Sequence, residues 1–285
     1  MSLIQILILS VVQGITEWLP ISSSAHLLIL AGVFGQTGPD ELMINAMAHL
    51  GTLLALLLYF RRDIVIAIKG GFELIGIGRP PEGASPAAHL ASMILAATPI
   101  ALLLVFGYTL LPDALTAPLR SLWTVIFATI FFALLLWWAD AKGSSVRTEA
   151  EMRLSDAILI GATQAIAAII PGTSRSGITM TTARALGFSR IEAARFAMLI
   201  GAPLLAASGV YAFYQLLSAE PGTISLGLTD AGLIIAFSFV SAFVSIWGLM
   251  ALLKRMSFLP FVIYRLALGV GLILASPIAL GFLSA

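Results

Sequence analysis

Two polar runs interrupt an otherwise apolar chain, and both carry residues that can do chemistry. The first, QGITEWLPISSSAH at 13–26, places an amide (Gln13), a carboxylate (Glu17), three hydroxyls (Ser22, Ser23, Ser24) and an imidazole (His26) close together. The second, PGTSRSGIT at 171–179, offers the hydroxyls of Thr173, Ser174, Ser176 and Thr179, two glycines and the Arg175 guanidinium. Glycines let backbone N–H groups approach an anion, and a half-helix after them turns its positive end toward the loop. Arginine grips phosphate with two parallel N–H···O bonds. The second run reads as an oxyanion cradle, most simply for phosphate.

The first run then supplies reactive groups. Phosphoryl transfer needs an in-line nucleophile, a proton acceptor and charge neutralisation. Ser23 is a candidate nucleophile with Glu17 or His26 as its base; alternatively a water attacks and the serines only bind. Gln13 and Glu17, four apart on one helix face, are placed to share an oxygen-ligated Mg²⁺ or Ca²⁺. Arg175 either neutralises Glu17 or joins it around a charged ligand.

The elements that must position these groups follow from composition. Of 285 residues, 60% are hydrophobic and 10% charged, and mean hydropathy is +1.05. Soluble domains carry about 25% charged residues, so the chain reads as an all-α, multi-pass membrane protein. The net charge of +1 without basic clusters argues against a nucleic-acid partner. The absence of cysteine excludes disulfides and thiolate chemistry. The N-terminal stretch has no basic n-region and is expected to belong to the mature protein.

A membrane-crossing helix needs about 20 apolar residues. Six segments qualify, near 42–60, 88–111, 119–139, 191–217, 229–253 and 258–282. Residues 3–34 and 155–187 are apolar too, but each is broken by one of the polar runs, so each reads as a re-entrant helix-loop-helix pair. Arg61, Arg62, Lys69 and Arg79, then Lys142, Arg147 and Arg153, then Lys254 and Arg255 fall on one side, which is cytoplasmic. The connections near 34–41, 112–118 and 218–228 lack Lys and Arg. The two re-entrant pairs then enter from opposite sides and meet near mid-bilayer.

A shift of 151 residues lays Gln13 on Gln164, Pro20 on Pro171 and Ser23 on Ser174. With an odd number of spans between the copies, the repeats are inverted. One appears as about 1–139 and the other as about 155–285, joined by a cytoplasmic loop at 140–154 in a single membrane domain. Non-helical backbone and ionisable groups at membrane depth are costly, at least about 2.5–3.5 kcal/mol for a central Asp or Arg, and mark function by default.

Each feature also has a plainer use. Serines and a histidine in a membrane helix serve as interhelical hydrogen-bond glue. Arg175 can be a structural counter-ion to Glu17. His49 and Arg265, within spans, are first read as structural, and His89 as interfacial. Trp18, Trp123, Trp137 and Trp138 suit interfacial anchoring. Gly201, Gly248, Gly269 and Gly271 suit close helix packing, and the many small residues permit a homodimer.

Together the two runs resemble the signature segments of the undecaprenyl-diphosphate phosphatase family, the bacterial membrane enzymes also called bacitracin-resistance proteins. Gln13, Glu17, Pro20, Ser22, Ser23 and His26 fit the first motif, and Pro171, Gly172, Ser174, Arg175, Ser176 and Thr179 the second. HLGTLLA (49–55), FRRD (60–63) and FLPFVIYR (258–265) extend the likeness along nearly the whole chain. The resemblance implies hydrolysis of undecaprenyl diphosphate to undecaprenyl phosphate and phosphate. It further implies a divalent cation, the bacterial plasma membrane, and a site open to the periplasm. Glu17, Ser23, His26 and Arg175 would be catalytic, with Ser22, Ser174, Arg175, Ser176 and Thr179 on the phosphates and Glu17 and Gln13 on the cation. Gln13 stands where many members carry glutamate, which removes one formal charge from such a cation site. A lipid-phosphate transporter built on inverted repeats is the competing class.

Overall fold

The computed structural model of the chain describes residues 2–34, 39–80, 83, 85–144, 146–218 and 227–283. Within these the regular structure is helical. Helix α1 (Leu3–Trp18) and α2 (Ser23–Phe34) form the first broken pair, followed by α3 (Pro39–Tyr59), α4 (Arg61–Leu74) and α5 (Pro86–Thr109). A single turn, α6 (Asp113–Thr116), leads to α7 (Leu122–Lys142). The second broken pair is α8 (Leu154–Ile169) and α9 (Arg175–Ala185), and α10 (Arg190–Leu217), α11 (Leu228–Leu252) and α12 (Leu259–Leu283) complete the chain.

Five of these helices, α5, α7, α10, α11 and α12, are long and apolar enough to cross a membrane, and α3 with α4 adds up to one more when the bent pair is taken together. Five of the six expected spans are single helices of sufficient length, and the expected span near 42–60 corresponds to α3, which passes the same test only together with α4. Parts of the connections near 34–41 and 218–228 lie outside the described residues.

The 61–79 stretch, expected only as a basic connection, holds α4, bent by 84° from α3. The bend falls at Phe60 (φ −93°, ψ 24°), where the apolar run of α3 meets Arg61 and Arg62. Those side chains stay exposed while Gly70 and Glu73 pack inward. Gly70 permits the contact, because a Cβ there would meet Ala87 O of α5 at 1.9 Å.

Both breaks arise from the same local cause. The residue before a proline is pushed out of the helical region, and Leu19 (ψ 148°) and Ile170 (ψ 98°) end α1 and α8 just before Pro20 and Pro171. Helices α1 and α8 have the same length, 16 residues. Past the prolines the register slips: α2 begins at Ser23 and α9 at Arg175, so the second loop is one residue longer. The extra residue is accommodated at Gly172 (φ 91°). Ser22 thus corresponds to Ser174, not Ser23 to Ser174, and the two share a left-handed backbone, φ 73° and φ 70°.

Packing partners follow the same correspondence. Helix α1 lies on α11 as α8 lies on α5, α9 meets α7 as α2 meets α12, and α3 packs on α10 and α7 on α12. Close approach depends on small residues: a Cβ on Gly14 would meet Ser241 Oγ at 1.9 Å, and one on Gly161 would meet Ala97 O at 2.0 Å. Large apolar side chains such as Phe127, Trp137 and Val244 point outward, as a lipid-facing surface requires. Near the basic side, Asp140 ties the ends of three helices together. It accepts from Arg184 Nε at 2.9 Å, Arg190 Nε at 2.8 Å and Phe258 N at 3.0 Å.

Candidate functional site

The two broken loops touch. Gly172 N donates to Ser24 Oγ at 3.3 Å, and Ser176 Oγ donates to Leu19 O at 2.9 Å. Each loop is therefore held by a serine from the opposite pair. Positive φ at a non-glycine residue costs about 1–3 kcal/mol and persists only where the surroundings impose it. Ser174 supplies part of that support by capping α9, its Oγ accepting from Gly177 N at 3.1 Å.

Glu17, at the C-terminal end of α1, lies at the centre. Its Oε1 accepts from Arg175 Nη2 at 2.7 Å; its Oε2 accepts from Ser23 Oγ at 2.9 Å and from Gln13 Nε2 at 2.8 Å. Arg175 is held from two further directions. Its Nη1 donates to Gly201 O at 2.9 Å, and its guanidinium carbon lies 5.0 Å from the Trp18 ring centroid. A Cβ on Gly201 would meet Arg175 Cζ at 3.2 Å and Trp18 Cζ3 at 3.1 Å, so this glycine leaves room for the guanidinium. Trp18, expected as an interfacial anchor, is instead fully buried, with Nε1 donating to Thr52 O at 3.1 Å. Its place beside Arg175 is the reason.

His49 of α3 joins the cluster. Its Nδ1 is 2.6 Å from Asn45 O, which accepts from it, and its Nε2 is 3.3 Å from Gln13 Nε2. The same Nε2 lies 3.6 Å from Glu17 Oε2.

A cavity of about 170 Å³ opens beside this cluster. Of the expected site residues, Glu17, Ser22, Ser23, Ser174 and Arg175 line it. Ser24, His49, Gln164 and Ser208 line it too. Gln164 had a signal in its match to Gln13. Ser208 had none, because it is a single serine in a long apolar helix.

Four expected residues lie behind the wall. Gln13 reaches the cavity only through Glu17 and His49. Ser176 spends its hydroxyl on Leu19 O, and Thr179 donates to the Arg175 and Ser176 carbonyls at 2.9 and 3.1 Å. His26 faces α12: Nδ1 bonds Ser22 O at 2.7 Å, and Nε2 lies 2.6 Å from the Tyr264 hydroxyl. The next residue of α12, Arg265, is fully buried and donates from Nη2 to Gly172 O at 2.8 Å and Thr173 O at 3.1 Å. Tyr264, through His26, and Arg265 thus hold one loop each.

The donors around Glu17 bear on the expected cation. Among the described residues there is no group of three His, Asp or Glu side chains that could hold a metal. The Gln13 amide oxygen is buried without a partner. One carboxylate, one free amide oxygen and the Ser23 hydroxyl do not make an all-protein cage. Glu17 and Ser23, which line the cavity, are oxygen donors of the kind a Mg²⁺ or Ca²⁺ completed by phosphate oxygens and waters would take, whereas the Gln13 amide oxygen lies behind the wall.

Fold and site define a multi-pass, all-α membrane protein in which two interrupted helix pairs enclose a buried carboxylate–guanidinium pair beside a polar cavity. Residues 6–271 match the family described as bacitracin resistance protein BacA, and the chain belongs to that family. It is 53% identical over 282 residues to an undecaprenyl-diphosphatase of Hyphomonas neptunium, covering 99% of both chains. It is 44% identical over 273 residues to the undecaprenyl-diphosphatase of Maricaulis maris, covering 96% of this chain and 98% of that one. Undecaprenyl-diphosphatase 1 of Pseudoalteromonas translucida is 40% identical over 278 residues.

Proposed function

We propose that the protein is an undecaprenyl-diphosphate phosphatase of the bacterial plasma membrane, hydrolysing the lipid diphosphate to lipid phosphate and inorganic phosphate. Relatives of that name align along almost its whole length. The observation that carries the chemistry is the chain Ser23–Glu17–Arg175, a hydroxyl donating to a carboxylate whose other oxygen accepts from a guanidinium. This is a nucleophile, its base and the group that orients the base.

In this reading the diphosphate enters the cavity and its oxygens take donors of Arg175 that Glu17 and Gly201 leave free. Ser23 Oγ attacks the terminal phosphorus as its proton passes to Glu17 Oε2. The bond from that phosphorus to the bridging oxygen breaks, and lipid phosphate departs. A water then attacks the phosphoserine: Glu17 returns to the departing Ser23 Oγ the proton it took, accepts one proton from the water in exchange, and releases that proton to solvent as phosphate leaves, which restores the carboxylate. Arg175 and the first-turn N–H groups of α9 stabilise the charge that develops on the phosphoryl oxygens. Glu17 and Ser23, with Gln13 steadying the Glu17 carboxylate through its amide N–H, would hold a divalent cation, which would supply further neutralisation of the diphosphate. His26 fixes the Ser22 turn next to the nucleophile.

The equal lengths of α1 and α8, the paired proline breaks and the matched packing partners support an inverted-repeat arrangement. The Lys and Arg distribution supports a cavity opening to the outer side, with the prenyl tail among the spans.

The test is phosphate release from prenyl diphosphate by the purified protein in detergent. Ser23→Ala is expected to lose about 10³-fold or more. An active Ser23→Ala beside an inactive Glu17→Gln would transfer the attack to water; full activity in Arg175→Ala or Glu17→Ala refutes the site.

A further inference from the structure

Gln164 belongs to α8, whose C-terminal end forms one wall of the cavity together with Ala167 and Ala168. It is 1% exposed, yet neither its Nε2 nor its Oε1 has a hydrogen-bond partner. A primary amide brings two donors and an acceptor, and buried polar groups in folded proteins are almost always paired. Leaving this one unpaired weakens the fold, which makes it a poor structural residue. It suits a residue whose partner arrives from the cavity.

The repeat correspondence explains why it is free. Gln13, its counterpart on α1, gives its N–H to Glu17 four residues on. The position four residues after Gln164 is Ala168, so no carboxylate occupies its amide. One half of the pocket thus carries an acid already held by an amide. The other half carries the amide alone, on a residue that lines the cavity together with Arg175.

We infer that Gln164 is a substrate-contacting residue, donating from Nε2 to a phosphate oxygen of the diphosphate on the α8 wall. The inference rests on the phosphatase reading above and deepens it. The donor is neutral, so it adds grip without a second fixed charge beside Arg175, and it requires an acceptor oxygen such as a diphosphate provides. Shortening or replacing the amide removes that contact and disturbs none within the protein.

The experiment uses the full chain in detergent, as wild type, Gln164→Leu and Gln164→Asn. It reads KM for prenyl diphosphate, Tm, and the rise in Tm caused by inorganic diphosphate. In Gln164→Leu the expected KM rises about tenfold, the loss of one hydrogen bond to a charged group. The diphosphate-induced rise shrinks, while Tm without ligand is unchanged or higher. Gln164→Asn, too short to reach, behaves the same way. An unchanged KM, or a lower ligand-free Tm in Gln164→Leu, assigns the side chain to the fold and overturns the inference. Wild type that is stabilised by inorganic diphosphate but releases no phosphate from prenyl diphosphate sinks the phosphatase reading alone. The diphosphate response of Gln164→Leu then still decides the role of Gln164.

Discussion

Arg175 Nη2 meets Glu17 Oε1 at 2.7 Å, joining two broken helix pairs across a sequence separation of 158 residues. Both side chains are largely withdrawn from the surface. Removing one partner of a buried ion pair leaves the other uncompensated, at a cost of about 3–5 kcal/mol. Glu17→Gln is therefore expected to unfold markedly more easily than wild type. The double variant Glu17→Gln/Arg175→Gln should recover most of that loss without recovering activity. Unfolding of the three proteins in detergent measures this, and additive losses would count against direct pairing.

Gly201 gives a test of positioning without touching a charged residue. A methyl group there presses on the Arg175 guanidinium and the Trp18 ring. Gly201→Ala should keep the fold but reduce phosphate release about 10- to 100-fold, the range expected from small misplacements in an active site. Wild-type turnover in this variant would show that the guanidinium can shift without consequence.

Arg265 grips loop 170–174 by its carbonyls and has no carboxylate partner among the described residues. Because a buried, unpaired charge is itself costly, Arg265→Met should change Tm little. Loosening the loop that presents Ser174 and Arg175 should still lower kcat by about tenfold or more. Steady-state kinetics beside thermal unfolding separate the two effects.

On the basic side, burial pushes the Glu149 carboxyl above its ordinary value of 4.5, against the opposing pull of Arg195 and His89. A carboxyl whose folded pKa is raised contributes stability at low pH and loses it as pH rises through the folded value. Glu149→Gln should therefore match wild type below about pH 4.5 and exceed it in Tm at neutral pH. Tm measured across pH 4–8 checks the sign.

The spans and the two interruptions were legible because hydropathy and proline act locally. Pro20 and Pro171 set their breaks through the residue before each, whatever the tertiary setting. Glu17 and Arg175 were legible as a pair because isolated charges in apolar runs require partners. What the sequence hid depends on direction. Ser176 and Thr179 look like phosphate ligands in the motif, but in the folded helix their hydroxyls turn onto backbone carbonyls. His26 sits three residues from Ser23, yet its ring points to α12. Helix α4 went unnamed because its hydropathy is low and its neighbours, not its composition, determine its packed face. The one-residue slip that pairs Ser22 with Ser174 needed coordinates, since a glycine absorbs it without any change of motif.

Whether acid and guanidinium act on a single diphosphate is tested most directly by single-turnover phosphate release from prenyl diphosphate in Glu17→Gln, held folded by detergent and compared with wild type. The account predicts a fall of at least about 100-fold, with the lipid substrate still bound through Arg175. Release at the wild-type rate from a folded Glu17→Gln protein would contradict it.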